Sequence, residues 1–281
     1  MNIQRLALDS VTLTRVGYSD VTLPRERLGL GADDFARAPW RSPLWTDDGE
    51  NVRVGAAVWF ADVDGRRIAF DPFQTADRVL RADRAAEEFH QTAIAGILAE
   101  AGFPRESVDL VVLTHIEGVG MVGWRNADGS WSPFFPSARV LLSDVEMRLF
   151  LAAPKSDDIQ SEAWHALIEL GVVGTYADHE HIASGVSADI RGAHGPGHAL
   201  LHFGTADAPR ASFIGHLAVS PLHLISGECA ALQEDPAAAW ALLQRTVADA
   251  RLLIGPLWPT PGYGRWENGA FVAGNPRADH G

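Results

Sequence analysis

Three short apolar runs rich in β-branched residues each stop at a histidine or start from one. Val108–Leu113 leads through Thr114 to His115, Ala211–Ile214 leads through Gly215 to His216, and the segment from Gly192 to His198, which holds His194, precedes Ala199–Phe203. Runs of this length, bounded by turn residues, read as strands buried on both faces, and such strands need a covering layer on each side. Polar residues at the ends of buried strands converge on one edge of a sheet, where ligands bind in α/β proteins. The pattern therefore predicts a layered α/β chain with imidazoles gathered at one sheet edge.

The rest of the chain fits that frame. Residues 55–61 and 67–70 read as a hairpin around Asp64-Gly65, whose residues tolerate the positive φ of tight turns. Ala86, Phe89, Ile94, Ile97 and Leu98 recur at near-helical spacing within 83–101, and Gly102 with Pro104 supplies the stop. A strand over 138–142, helices over 145–151 and 162–170, and a long helix over 236–252 continue the alternation. No internal repeat or Pro/Gly/Ser linker marks a boundary, so one domain over 1–281 is expected. It carries an irregular N-terminal extension to about residue 51 and a second irregular stretch over 118–136.

Composition excludes several function classes. Of the 281 residues, 36 are acidic and 23 basic, a net charge of −13 that offers no electrostatic footprint for nucleic acid or an anionic membrane. Lys155 is the only lysine, which disfavours Schiff-base chemistry and a lysine-centred phosphate loop. Cys229 is the only cysteine, so any metal must take histidine and carboxylate ligands. No apolar run reaches the roughly 18 residues that span a bilayer, and the first residues lack the order of a secretory signal, so a cytoplasmic address is expected.

The order of segments resembles the metallo-β-lactamase fold superfamily, and within it the lactonase-like and methyl-parathion-hydrolase-like branch. The matching residues run from about Val52 to Val272. They are Ile68-Ala69-Phe70-Asp71, Leu113-Thr114-His115, the stretch from Phe135 to Ser143, the His194-to-His198 segment, Phe213-Ile214-Gly215-His216 followed by Pro221, and the stretch from Pro259 to Gly264. The resemblance implies a four-layer αββα sandwich with a metal cleft at one edge of two sheets, acting on a small-molecule substrate. It also implies a possible homodimer, onto which Trp40 and Trp45 of the N-terminal stretch would pack.

The metal motif departs from that family. Where the family reads T-H-x-H-x-D-H, this chain reads Thr114-His115-Ile116-Glu117-Gly118-Val119-Gly120. The next family ligand matches His194, the bridging aspartate matches His216, and the last histidine falls at Leu257. Metal-capable residues thus gather around one ion, with His115, Glu117, His194 and His216 as its ligands, while the second metal loses its own. Imidazole and carboxylate suit one divalent ion such as zinc, iron or manganese.

Three functions are expected from this set. Hydrolysis of an ester or lactone is slightly favoured, with Glu117 as the catalytic base if it does not bind metal. A mononuclear iron or manganese oxygenase or lyase is the alternative, because persulfide dioxygenases of the superfamily hold one iron at positions matching His115, His194 and His216. A non-catalytic ligand-binding homologue is the third.

Other residues fit a structural role as well as a functional one. Asp71 is expected to orient the metal loop, with His198 and His223 as further residues behind the ligands. A histidine at a strand end is also commonly a structural hydrogen-bonder. Trp124, Phe134, Phe135 and Trp258 are expected to line a substrate pocket, although aromatic residues in long loops equally serve to keep those loops folded.

Overall fold

The computed structural model describes residues 2–8, 11–41, 44–46, 50–72, 84–116, 122–156, 159–205, 208–226, 233–249 and 252–274. The first half of the chain forms β1 (Asn2–Leu8), β2 (Val11–Pro24), α1 (Ala32–Arg37), β3 (Asn51–Val63), β4 (Arg66–Phe70), α2 (Arg84–Glu100) and β5 (Leu110–Val112). A ribbon of β6 (Gly123–Arg125) and β7 (Trp131–Pro133) follows, then β8 (Arg139–Ser143), α3 (Asp144–Ala152), α4 (Ile159–Glu169) and β9 (Val173–Tyr176). The second half supplies β10 (His181–Ala183), β11 (Val186–Ile190), β12 (Ala199–Thr205), β13 (Ala208–Phe213), α5 (His223–Ser226), α6 (Pro236–Asp249), β14 (Leu252–Ile254), β15 (Tyr263–Glu267) and β16 (Ala270–Ala273).

These strands make two seven-stranded sheets, ordered β1-β2-β3-β4-β5-β8-β9 and β10 through β16 in sequence. The first sheet is antiparallel from β1 to β4 and parallel from β4 to β9. In the second sheet only the β13–β14 pair is parallel. The two-residue turn between β3 and β4 has Asp64 at φ 53° and Gly65 at φ 72°, the pair of positive values that matches the twist of a hairpin. Helix α2 ends as expected at Gly102, where Gly102 N–H donates to Ala99 O and Phe103 N–H to Leu98 O, closing the last turn.

The two sheets face each other across one apolar layer, in which Trp59 and Phe70 of the first meet Phe203, Phe213 and Tyr263 of the second. The Phe70 ring sits edge-on to Phe203 at 5.1 Å. On the outer face of the first sheet Ile94 and Leu98 of α2 and Trp164 and Leu167 of α4 cover Val58, Phe60 and Val140. On the outer face of the second, Ala239, Leu242 and Leu243 of α6 cover Leu200, Ile214 and Leu253. The architecture is the expected αββα sandwich.

Several expectations are corrected. The N-terminal stretch to residue 51 is not irregular through most of its length: β1 and β2 form the edge hairpin of the first sheet, and β2 pairs with β3 as far as Pro24. Trp45 is buried within its own chain beside Phe271, while Trp40 is half-buried and stands edge-on to Trp266. Phe89 is 78% exposed, off the buried stripe of α2. Among the described residues no helix is long and apolar enough to cross a membrane.

Candidate metal centre

The parallel strands β4 and β5 end side by side, and their ends build the first part of the site. Asp71 follows β4 with φ 36°, and its N–H donates to Val112 O at 3.0 Å, which turns its carboxylate toward the end of β5. There Asp71 Oδ1 accepts from Thr114 N–H at 2.7 Å and Oδ2 accepts from the Thr114 hydroxyl at 2.6 Å. With its only proton given to Asp71, the hydroxyl can only accept from His115 Nδ1, which lies 2.9 Å away. His115 is thereby held as the Nδ1–H tautomer, which puts the lone pair of the ring on Nε2.

Asp71 is thus joined to the loop that carries His115 through both the backbone and the side chain of Thr114. Burial pushes its carboxyl above the usual range, opposed by the nearby His115 and by the two Thr114 hydrogen bonds. The Tyr176 hydroxyl donates to Leu113 O at 2.6 Å, and burial raises that phenol well above its ordinary value.

The second sheet delivers the other two histidines. His194 sits in the turn between β11 and β12, which is tied to the first sheet by Ala199 N–H donating to Thr114 O at 2.8 Å. His216 follows β13, immediately after Gly215 at φ 53°. A Cβ at Gly215 would lie 2.5 Å from Thr114 Oγ1 and 2.6 Å from His198 Nε2, so only glycine lets this strand end come so close.

The result is a cluster in which one ligand atom from each of His115, His194 and His216 lies within 4.8 Å of the others. Ring centroids are 4.6 Å apart for His115 and His194, 4.9 Å for His115 and His216, and 5.8 Å for His194 and His216. His115 and His216 are buried and His194 is half-buried. Three nitrogen donors converging from two sheets fit a zinc-like divalent ion, for which imidazole is a preferred ligand.

Gln233, which nothing in the sequence singled out, braces two of the three. Its Oε1 faces His194 Nδ1 at 3.2 Å and its Nε2 donates to His216 O at 2.9 Å. The amide orientation makes His194 an Nδ1–H donor, which puts the lone pair of the ring on Nε2.

His198 is fully buried beside the cluster, 5.3 Å from the His115 ring and 5.4 Å from that of His194. Neither of its ring nitrogens has a hydrogen-bond partner among the described residues. Burial and the three neighbouring imidazoles hold it neutral.

Not every expected site residue arrives here. Glu117, with Val119 and Gly120, lies outside the described residues, as does Cys229. His223 is corrected: its Nε2 donates to Leu28 O at 2.9 Å and its Nδ1 accepts from Ser220 N–H at 3.3 Å. Those bonds tie α5 to the 3-10 turn Arg25–Leu28 that follows β2 and involve none of the three clustered histidines.

The aromatic pocket is corrected as well. Phe134 and Phe135 are buried on the outer face of the first sheet, with Phe135 edge-on to Phe60. Trp124 is half-buried there under the Arg105 guanidinium, 4.0 Å from its ring. Trp258 is fully buried and donates from Nε1 to Ala218 O at 2.8 Å. These rings are spent on holding the walls together.

A second grouping, Asp178, His179 and Asp189, lies at the rim of the second sheet. His179 stands between the two carboxylates at 3.4 and 3.0 Å, and Arg191 also pairs with Asp189. The Arg191 guanidinium compensates Asp189, as in an ordinary surface ion pair.

His223 has a consequence for stability. Burial lowers its pKa from the ordinary 6.5, so the folded chain keeps it neutral while the unfolded chain protonates it. Its contribution is fully present above 6.5 and is lost as the pH falls from there toward the lower folded value. Urea midpoints measured at pH 7.5 and at pH 5.5 are expected to drop on acidification, and to drop less in His223→Gln, whose amide can make both hydrogen bonds without titrating.

No protein-family model matches the chain, and no curated protein matches it in sequence. Solved structures do. The hydrolase AbOPH of the β-lactamase superfamily superposes with a TM-score of 0.73 at 17% identity, over 97% of each chain. AidC, a dizinc quorum-quenching lactonase, gives 0.71 at 14% identity, also over 97% of each chain. A quorum-quenching N-acyl homoserine lactone lactonase gives 0.53 at 12%, over 87% of this chain and 86% of its own. With two facing seven-stranded sheets, helices on both outer faces and histidines converging where the strands end, the chain has the metallo-β-lactamase fold.

Proposed function

We propose that this chain is a metal-dependent hydrolase of small ester or lactone substrates that works with one divalent ion held by His115, His194 and His216. The observation that carries the proposal is the convergence of these three imidazoles within 4.8 Å on a fold shared with hydrolases. A divalent ion bound there would lower the pKa of a water molecule toward about 7 and polarise a substrate carbonyl.

The chain's own contribution is orientation. The Asp71–Thr114 pair engages Nδ1 of the His115 ring and Gln233 engages Nδ1 of the His194 ring, which sets the tautomer of each and puts its lone pair on Nε2. Glu117 completes the proposal from sequence, as a fourth ligand or as the base that takes a proton from water.

The similar structure of AidC is dizinc. A single ion is proposed for this chain because the residues resembling the second set of ligands are replaced. Leu257, at the position matching the family's last histidine, packs in an apolar cluster with Val52, Val54 and Val219. Val119 and Gly120 bring no ligand atom to the family's other two positions.

The test is turnover of a panel of esters and lactones with and without oxygen, before and after chelation. Hydrolysis that survives without oxygen, stops on chelation and returns with added metal is the expected result. Turnover that requires oxygen would replace this reading with the oxygenase alternative. Turnover unaffected by chelation would remove the metal from the reaction.

A further inference from the structure

We infer that Glu146 is a positioning residue for the metal centre, one carboxylate that locks together the two loops carrying His115 and His194. The inference rests on the reading of His115, His194 and His216 as metal ligands. Glu146 lies in the first turn of α3, where its own N–H donates to the Ser143 hydroxyl at 3.1 Å. Its Oε2 accepts from Ile116 N–H, the residue after His115, at 3.2 Å. Its Oε1 accepts from Gly197 N–H, three residues after His194 and one before His198, also at 3.2 Å.

The Ser143 hydroxyl adds a third link by donating to Gly197 O at 2.7 Å. The approach is close enough to forbid a side chain: a Cβ at Gly197 would lie 2.6 Å from Glu146 Cγ and 2.7 Å from Ser143 Oγ. An acid in a helix's first turn is ordinarily explained by the free amides and dipole of its own helix. Here both oxygens serve other segments, one attached to each sheet. His115 reaches the cluster from the first sheet and His194 from the second, so the distance between them depends on what joins their loops. Two hydrogen bonds to one carboxylate, one on each oxygen, fix a relative position as well as a contact.

The test titrates Co²⁺ into the metal-free full chain and follows both affinity and the visible d–d spectrum, with circular dichroism as the check on folding. Glu146→Ala is expected to weaken Co²⁺ binding about 10–100-fold, the usual effect of losing a group that orients a ligand, and to change the d–d bands. Glu146→Gln covers the case in which alanine disturbs the fold. It keeps one acceptor oxygen but turns an NH₂ toward the other backbone amide, so a smaller loss with altered bands is expected. A merely structural role would lower the urea midpoint of the metal-free protein and leave affinity and spectrum unchanged. That result, with His115→Ala abolishing binding in the same series, would overturn the inference alone. If His115→Ala binds Co²⁺ like the unsubstituted chain, the metal-centre reading fails and takes this inference with it.

Discussion

Replacing His115 with alanine is expected to strip the protein of bound metal. His115 stands at the centre of the cluster, with its ring centroid nearest to both of the other two. Loss of one of three nitrogen donors removes far more than loss of a group behind a ligand, so metal affinity is expected to fall by more than about 100-fold. Any hydrolytic activity is expected to fall with it. Metal content by mass spectrometry after dialysis measures the effect, and the His223→Gln variant is the control. His223 is buried too, more deeply than His115, but spends both ring nitrogens on Leu28 and Ser220, so its substitution is expected to leave metal content unchanged. Equal metal in His115→Ala and the unsubstituted chain would mean that the three imidazoles do not form the binding site.

The second large effect is on stability. Phe70 is fully buried between the two sheets, edge-on to Phe203 and 6.4 Å from Phe213. It is also the last residue of β4, directly before the carboxylate that orients the His115 loop. Phe70→Ala leaves a cavity in the layer that holds the sandwich together and is expected to destabilise the chain by ~3–5 kcal/mol. Phe89→Ala, on the exposed side of α2, is expected to change stability by no more than about 0.5 kcal/mol. Urea unfolding of the two variants checks the contrast. Similar midpoints would place Phe70 outside the core.

How much of this was legible in the sequence depends on where each interaction lies along the chain. His115, His216 and Asp71 were legible because each follows a short buried strand, and an abrupt change from apolar to polar at a strand end is a local signal. Glu146 and Gln233 were not. Their partners lie 30 and 51 residues away for Glu146 and 39 and 17 for Gln233, and are mostly backbone groups, which leave no mark on composition.

The aromatic residues failed for another reason. Phe134, Phe135 and Trp258 would look the same in a sequence whether they lined a pocket or a core, since both environments select large apolar rings. The N-terminal hairpin was missed because β2 breaks strict alternation. It carries a buried arginine, Arg15, whose guanidinium donates to Trp258 O at 3.0 Å, and a register shift between Gly17 and Ser19. The short strands from β9 to β11 and from β14 to β16 are three to five residues each, too brief to show a period.

One metal ion is proposed for this chain, where the similar structure of AidC is dizinc. Metal content per chain, measured on the purified 281-residue chain by inductively coupled plasma mass spectrometry, decides between one ion and two. About one ion per chain, lost in His115→Ala, is the expected result. Two ions per chain, or none after reconstitution with zinc, iron and manganese in turn, would contradict it.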